Sequence, residues 1–206
     1  WEQNKPAKQR LHRELLHQPD EQSLLATEFA FPDDFDHLGR SHGEQSYIAV
    51  VHADGNGMGK LFNELNKAYS THSGDGNRTY MTKLWELSEQ VNALGLNALR
   101  AVVRKVWEWH ETFKDGENLL APYVDDKGQK YLSIRPIVFG GDDVTFVCDG
   151  RIGLWAAQIF LDRFRNTSLQ LEDGPQTLHA AAGVAIVKVH YPFARAYELS
   201  EQLCKQ

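Results

Sequence analysis

The sequence has no excess of positive charge: 22 lysines and arginines stand against 28 aspartates and glutamates, for a net charge of −6. Domains that hold nucleic acid through its phosphate backbone usually carry a basic surface. A broad electrostatic platform of that kind is therefore excluded. Any nucleotide must be held locally, by metal ions and backbone amides.

Cysteines and long apolar runs are also scarce. The only cysteines are Cys148 and Cys204, and we expect both to be reduced, as is usual in the cytosol, with one disulfide as the alternative. No segment approaches the roughly 20 apolar residues that a membrane helix needs. We therefore expect a soluble, cytoplasmic protein without a membrane partner. Because the first residue is Trp1 instead of methionine, we also expect a piece of a longer chain.

Hydrophobic and aromatic residues are plentiful, at 42% and 11% of the 206 residues, which is typical of a folded protein. The length predicts one sizeable domain with an appendage, or alternatively two small domains. We assign residues 1–44 to a linker or the edge of a neighbouring domain, and residues 45–206 to the main domain. The start of the chain is locally basic, which favours either a solvated end or a contact to RNA. The basic residues are Lys5, Lys8, Arg10, His12 and Arg13.

The central motif of the sequence is Gly-Gly-Asp-Asp at residues 140–143, which has an apolar run before it and another after it. These runs predict the two strands of a β-hairpin that carries Asp142 and Asp143 on its turn. Gly140 and Gly141 allow backbone angles and a close ligand approach that a side chain would block. Paired carboxylates bind hard cations through oxygen ligands. An exposed acidic turn is the plainer alternative.

A second cluster follows the apolar run 47–53, which predicts a strand buried on both faces. Its residues are Asp54-Gly55-Asn56-Gly57-Met58-Gly59-Lys60, and helix-like sequence follows over 61–69. A glycine-rich turn between a strand and a helix holds phosphate groups on free amides. The dinucleotide, Walker A and EF-hand patterns all fail here. Asp54 is therefore a metal ligand or, alternatively, a helix N-cap.

Further along, the apolar spacing predicts a long helix over 81–113, with Gly95 as a point where it bends. Helices are also predicted over 152–164 and 193–205, and a buried strand over 178–189. The segments predicted to be loops or irregular connectors are 29–43, 71–78, 115–130 and 169–176.

The order of these elements is βαββαβ, the ferredoxin-like or palm arrangement. The predicted fold class is therefore α/β (α+β), with a long inserted helix and an N-terminal extension. Right-handed crossovers place the first and third strands side by side at the centre of such a sheet. The end of the first strand then faces the turn of the hairpin.

This topology brings acidic residues from distant parts of the chain together at one edge of the sheet. Asp54, Asp142 and Asp143, with the carbonyl of Gly55, form an oxygen cage suited to two Mg²⁺ or Mn²⁺ ions. We expect phosphates to be held by Lys60 and the 57–59 amides, and more weakly by Lys188, for which an exposed strand-end lysine is the alternative. The candidate nucleotide-binding residues are Asn56, Gly57, Met58, Gly59, Lys60, Gly140, Gly141 and Lys188.

The segments 53–59, 140–143 and 183–186, with 190–193, resemble the palm of the large subunit of type III CRISPR effector complexes. The similarity covers residues 47–205, and the Gly-Gly-Asp-Asp motif resembles that of the second, metal-binding palm. The resemblance implies a nucleotide cyclase fold, related to polymerases, that joins ATP into cyclic oligoadenylate messengers. It also implies that Asp54 and the Gly55 carbonyl are metal ligands together with the hairpin acids.

The resemblance further implies that two ATP molecules lie between paired palms. The expected partners are therefore a second palm or a homodimer mate, other effector subunits, and guide or target RNA. Two other functions stay open: a non-catalytic palm that binds nucleotide or serves as a scaffold, and a diguanylate cyclase. Diguanylate cyclases share the fold, but Asn56 replaces the second aspartate of their first-strand motif, and their hairpin ends in Glu-Phe where this chain has Asp143 and Val144.

Overall fold

The computed structural model describes residues 5–16, 28–38, 46–69, 74–112, 120–172 and 174–206. The α-helices in these ranges are α1 (Lys5–Leu15), α2 (Met58–Tyr69), α3 (Gly74–Thr112), α4 (Gly153–Arg165) and α5 (Phe193–Cys204). The strands are β1 (Phe29–Ala30), β2 (Tyr47–Gly55), β3 (Tyr123–Val124), β4 (Lys130–Tyr131), β5 (Ile134–Gly140), β6 (Asp143–Asp149), β7 (Ser168–Leu171), β8 (Gly174–Thr177) and β9 (Ala180–Lys188). A short 3₁₀ helix spans Phe35–His37. None of the described helices is long and apolar enough to cross a membrane.

A four-stranded antiparallel sheet with the order β5-β6-β2-β9 forms the centre of the fold. Leaving aside the small β3-β4 and β7-β8 insertions, the strands and helices follow each other as βαββαβ. The predicted ferredoxin-like palm is therefore confirmed. Strand β2 lies beside β6 at the middle of the sheet, with Ala53 opposite Val144. This is the neighbourhood that right-handed crossovers predict for the first and third strands.

Alternation along β2 divides the core between the two faces of the sheet. Val51 and Ala53 face the larger core, which contains buried residues of α3 and α4. Ile48 and Val50 face the opposite side, where they pack in a smaller cluster that includes Ala196 of α5. The sheet is thus covered by two helices on one face and one on the other, and its central strand is buried on both.

Helix α3 begins earlier than the spacing predicted. Residues 74–78 form its first turns instead of a loop, and its backbone stays helical through Gly95. The residues from Gly76 to Tyr80 are exposed or partly exposed, so this part of the helix lacks the apolar stripe from which we predicted the start. At 1.5 Å per residue the helix is about 58 Å long. Residues 71–73 and Phe113 lie outside the described residues.

Two segments predicted to be loops contain strands. In 169–176, β7 pairs with β8 in a hairpin that Gly174 closes with a φ of 114°. The segment 115–130 holds β3 and the start of β4, which pair with each other. These strands are only two to four residues long, too short for periodicity to distinguish them from polar connections.

The described parts of the N-terminal extension pack against the main domain. Leu15, Leu16 and Phe29 are buried in the larger core, and Arg100 of α3 donates a hydrogen bond to the carbonyl of Glu14 at 2.7 Å. Strand β1 pairs with β4, so the segment predicted to be an irregular connector contributes a strand. Residues 39–43, and the side chains of Lys5 and Lys8, lie outside the described residues. The boundary at 44/45 remains a prediction.

His110, in the last turn of α3, ties this helix to the segment before β5. Its Nδ1 lies 2.7 Å from the carbonyl oxygen of Leu120, and its Nε2 accepts the backbone N–H of Ser133 at 3.2 Å. Both contacts require a neutral ring that carries its proton on Nδ1. Burial lowers the pKa of His110 from 6.5 to about 4. Protonation of Nε2 would break the bond to Ser133.

We expect the free energy of unfolding to fall as the pH is lowered from about 6.5 to about 4, because the unfolded chain then binds a proton on residue 110 that the folded protein excludes. The contribution of the neutral His110 ring to the free energy of unfolding is complete above pH 6.5 and absent below pH 4. At about 1.4 kcal/mol per unit of pKa difference, the loss is at most about 3.5 kcal/mol. Urea unfolding of the wild type and of His110→Gln at several pH values measures it. A variant whose stability falls as steeply with pH as that of the wild type would contradict the assignment.

Candidate functional site

Gly141 and Asp142 form the two-residue turn between β5 and β6, and Gly140 pairs with Asp143 immediately outside it. Gly141 has a φ of 69°, while Asp142 has no positive φ. A positive φ at the first central residue alone is the pattern of a type II′ hairpin turn, which favours glycine there. The predicted hairpin is therefore confirmed, but only Asp142 lies on its turn as predicted, because Asp143 is the first residue of β6.

Helix α3 holds this turn in place. The N–H of Gly141 donates to Oδ1 of Asn92 at 3.2 Å. One helical turn further, a Cβ on Gly95 would overlap the carbonyl oxygen of Gly141. Glycine at position 95 thus lets the helix backbone approach the turn closely. The Gly141 amide is occupied by Asn92, so it is not available to a nucleotide.

The end of β2 meets the same turn. Strand β2 continues through Asp54 and Gly55, which pair with Ala181 and Ala180 of β9. A Cβ on Gly55 would lie 2.7 Å from Cβ of Asp142 and 3.2 Å from its Oδ2. The Asp142 side chain therefore lies directly against the Gly55 backbone, where only glycine leaves room.

The β2–β6 register brings Asp54, Asp142 and Asp143 to one edge of the sheet, because Asp54 and Asp143 come one position beyond the Ala53–Val144 pair. Residues that follow such a pair lie on the same face. We call this group the acidic edge. Burial, together with the negative charges of Asp54 and Asp143, raises the pKa of the Asp142 carboxyl, although a hydrogen bond from its own backbone N–H opposes this. Burial and the charge of Asp54 also raise the pKa of Asp143, although His52 opposes this.

The two oxygens of Asp143 have different surroundings. Its Oδ1 is buried and accepts no hydrogen bond from the described residues, although Nδ1 of His52 lies 3.6 Å away. The side chain as a whole is 48% exposed, so its other oxygen reaches the surface. A carboxylate with a raised pKa and an unpaired inner oxygen is unfavourable by itself.

A divalent cation fits this arrangement chemically, since carboxylate and carbonyl oxygens are the ligands that Mg²⁺ and Mn²⁺ prefer. It would neutralise charges that repel each other at the acidic edge. Within the described residues, however, no three His, Cys, Asp or Glu side chains already form a cluster that could hold a metal ion. Asp54, Asp142 and Asp143 are therefore close without forming a closed cage.

The predicted phosphate loop becomes the start of α2. Gly57 has a φ of 83°, and its carbonyl accepts the N–H of Leu61 at 3.1 Å, so the first amides of the helix have no intrahelical acceptor. Asn56, Gly57 and Lys60 line a cavity of about 220 Å³. Lys60 is exposed and lies 3.7 Å from Glu64. The side chain of Met58 is buried in the core, which leaves only its backbone for a ligand.

The prediction that Lys188 contacts phosphate is wrong. Strand β9 runs antiparallel to β2, so Lys188 pairs with Tyr47 at the start of β2. It lies about 23 Å along the strand from the acidic edge, at about 3.3 Å per residue. The alternative, a lysine at the far end of the last strand, describes its position.

Sequence reasoning missed three residues that shape the acidic edge: His52, Asn92 and Gly95. His52 is a polar residue inside an otherwise apolar strand, two positions before Asp54. Asn92 follows Val91, one of the apolar positions of α3. Such polar residues within apolar segments are a usable signal, because a buried polar group needs a specific partner. The partner itself cannot be read from spacing.

Comparison with known proteins gives one family. Residues 47–206 match the model of the family described as Cas10/Cmr2, second palm domain. A search among curated proteins gave no match.

Among solved structures, the chain is similar to a Csm1–Csm4 cassette in complex with cA3, with 12% identity, a TM-score of 0.47, and coverage of 83% of this chain and 20% of that chain. The apo Csm1–Csm4 cassette gives 14% identity, a TM-score of 0.46 and coverage of 83% and 20%. The diguanylate cyclase SiaD in complex with its activator SiaC from Pseudomonas aeruginosa is 10% identical, with a TM-score of 0.40. The match covers 77% of this chain and 45% of that chain. This chain thus spans about a fifth of the length of the Csm1–Csm4 chains that it matches.

Gly95→Ala tests the contact between α3 and the turn. We expect a loss of stability of about 1–3 kcal/mol, as for other overpacked sites, because the new methyl group overlaps the Gly141 carbonyl. The matched control is Gly59→Ala, in the first turn of α2, where a Cβ meets nothing within 4 Å and helix propensity favours alanine by about 1 kcal/mol. Urea unfolding compares the two. Equal changes in both variants would mean that Gly95 is not needed for close approach.

Asp142→Asn tests the electrostatic strain at the acidic edge. The pKa of Asp142 is raised, so its charged form is disfavoured in the folded protein, and a neutral amide should stabilise the metal-free protein at pH 7. Because the side chain is partly exposed, solvent screening limits the gain to at most about 1 kcal/mol. Thermal unfolding in EDTA and then in MnCl₂ measures it. Added Mn²⁺ should stabilise the wild type more than the variant, and the opposite order would argue against a cation at Asp142.

Proposed function

Because the chain belongs to the Cas10/Cmr2 family as its second palm domain, we propose that it is a metal-dependent nucleotidyltransferase. In this proposal it joins ATP into cyclic oligoadenylate and releases pyrophosphate. The observation that carries the proposal is the acidic edge: Asp54, Asp142 and Asp143 come from distant parts of the sequence and meet at one end of the central strands. A purely structural turn would gain nothing from gathering three like charges.

Mg²⁺ or Mn²⁺ would be held by these three carboxylates and the carbonyl of Gly55. A pair of such ions lowers the pKa of a ribose hydroxyl and neutralises charge on the reacting phosphate. In the reaction, a ribose hydroxyl oxygen of one nucleotide forms a bond to the α-phosphorus of another ATP. The bond between the α-phosphorus and the bridging oxygen breaks, pyrophosphate leaves, and the hydroxyl proton passes to solvent.

The protein's own contribution is to position the nucleotide. The free amides of residues 57–59 at the start of α2, together with Lys60, would bind the β- and γ-phosphates. Asn56 and Gly57 line the cavity beside them. The closely packed Gly55 and Asp142 would keep the α-phosphate near the acids. Most of the rate enhancement in phosphoryl transfer comes from such positioning and charge stabilisation.

The partners belong to the proposal as well. A second palm, from the rest of a longer chain or from a homodimer mate, would hold the second ATP. In this proposal the palm also assembles with other CRISPR effector subunits and with guide and target RNA, in the cytoplasm. Asn56 and the Asp143–Val144 pair depart from the diguanylate cyclase motifs, which favours ATP over GTP as the substrate.

The test is pyrophosphate release from ATP in the presence of MnCl₂, over a range of protein concentrations that allows dimers to form. We expect Asp142→Ala and Asp143→Ala each to lower the rate by about 100-fold or more, as the loss of one preorganised charge contact does in other enzymes. The control is Asp162→Asn, which changes an exposed acid of α4 that pairs with Arg165.

The outcomes separate the possible functions. Release that survives the loss of both hairpin acids would refute the proposed mechanism. If ATP stabilises the protein thermally but no pyrophosphate appears at any concentration, a nucleotide-binding scaffold is the better description. A clear preference for GTP would indicate a diguanylate cyclase instead.

A further inference from the structure

A group of polar side chains lies buried beneath the acidic edge, on the face of the sheet that α5 covers. We call His52, Thr145 and Tyr197 the His52 cluster. His52 of β2 and Thr145 of β6 are direct cross-strand partners, exposed by only 5% and 0%. Tyr197 of α5 packs on the group from the helix that covers this face. The centroid of its ring lies 5.6 Å from that of His52, in an edge-on arrangement.

The cluster is connected to Asp143 through a single ring nitrogen. Nδ1 of His52 lies 3.1 Å from Oγ1 of Thr145 and 3.6 Å from Oδ1 of Asp143. The Thr145 side chain also interacts with the Tyr197 hydroxyl. Both neighbours of Nδ1 are oxygens, and the carboxylate oxygen can only accept. A proton on Nδ1 is therefore within hydrogen-bonding distance of Thr145, whereas Oδ1 of Asp143 lies just beyond that distance and interacts with the ring electrostatically.

Packing alone does not account for these polar residues. Two positions earlier in β2, the cross-strand pair on the same face is Val50 and Val147, which are both fully buried. An apolar pair at positions 52 and 145 would continue that cluster without the desolvation cost of an imidazole and a hydroxyl. The polar pair stands instead under the one oxygen of Asp143 that is buried and accepts no hydrogen bond from the described residues.

We propose that His52 is a positioning residue for Asp143, held by Thr145 so that its Nδ1–H faces the inner carboxylate oxygen and orients it electrostatically, which leaves the exposed oxygen free for a divalent cation. The proposal rests on the proposed function, because it takes the acidic edge as a cation site. It adds a residue that no spacing argument assigned, and it gives the buried polar group a purpose. Partners that orient ligating carboxylates commonly determine metal affinity in this way.

The experiment measures Mn²⁺ binding directly, by electron paramagnetic resonance of the free ion. We expect His52→Leu to weaken Mn²⁺ binding by about 10–100-fold, the usual effect of removing a residue that orients a ligand. His52→Asn should restore affinity to within about threefold of the wild type, because its amide N–H can take the place of Nδ1–H and face the same two oxygens. A merely structural role predicts no such rescue.

A double-mutant cycle with Asp143→Asn shows whether His52 acts through Asp143. If it does, His52→Leu has no further effect on Mn²⁺ affinity once Asp143 is neutral, whereas independent effects would multiply. His190→Leu is the matched control, since His190 is exposed and follows β9 at the end of the sheet away from the acidic edge. It should bind Mn²⁺ like the wild type.

Thr145→Val provides a second variant if His52→Leu does not fold. It keeps the volume and removes only the hydroxyl that holds the ring, so it should also weaken Mn²⁺ binding. Wild-type affinity in folded His52→Leu, or in Thr145→Val where the first does not fold, would overturn the role of His52 while leaving the cation site intact. Absence of Mn²⁺ binding by the wild type would overturn the proposed function, and the role of His52 with it. The two failures are therefore distinguishable.

Discussion

The antiparallel register between β2 and β6 is the constraint on which the acidic edge depends. With Ala53 opposite Val144, Asp54 and Asp143 emerge next to each other, and Gly55 meets Asp142 one step further. A slip of one residue would turn every side chain of a strand to the other face. The apolar residues on both faces of β2 resist that slip, because each face is buried in its own core. Ordinary hydrophobic packing thus maintains the polar geometry.

Around this register, the structure gathers carboxylates whose charged forms are disfavoured and which a bound cation would neutralise. Close backbone contacts at Gly55 and Gly95 fix the turn, and burial with like charges raises the pKa values of Asp142 and Asp143. The raised pKa values mean that the charged carboxylates cost stability in the metal-free protein. Sites that bind charged ligands often carry such a cost, because removing the unfavourable groups would remove the function. The large core formed with α3 and α4 offsets the cost.

Much of the architecture could be predicted from the sequence. The long periodicity of α3, the buried run of β2 and the Gly-Gly-Asp-Asp hairpin were sufficient for the palm topology. The misplaced features have definite causes. The start of α3 lacks an apolar stripe, β7 and β8 are too short to show a period, and Lys188 was assigned to the site because the direction of the last strand was not taken into account.

The sequence by itself determined which residues are the candidates for the proposed chemistry: the acids at 54, 142 and 143 and the glycines beside them, since their types and their positions after apolar strands are local properties. Only the tertiary structure decided which distant groups surround them. Asn92 and Gly95 from α3, His52 and Thr145 across two strands, and Tyr197 from α5 meet the acids through packing between elements. Contacts of that kind depend on register and helix placement, for which no local pattern in the chain encodes the partner.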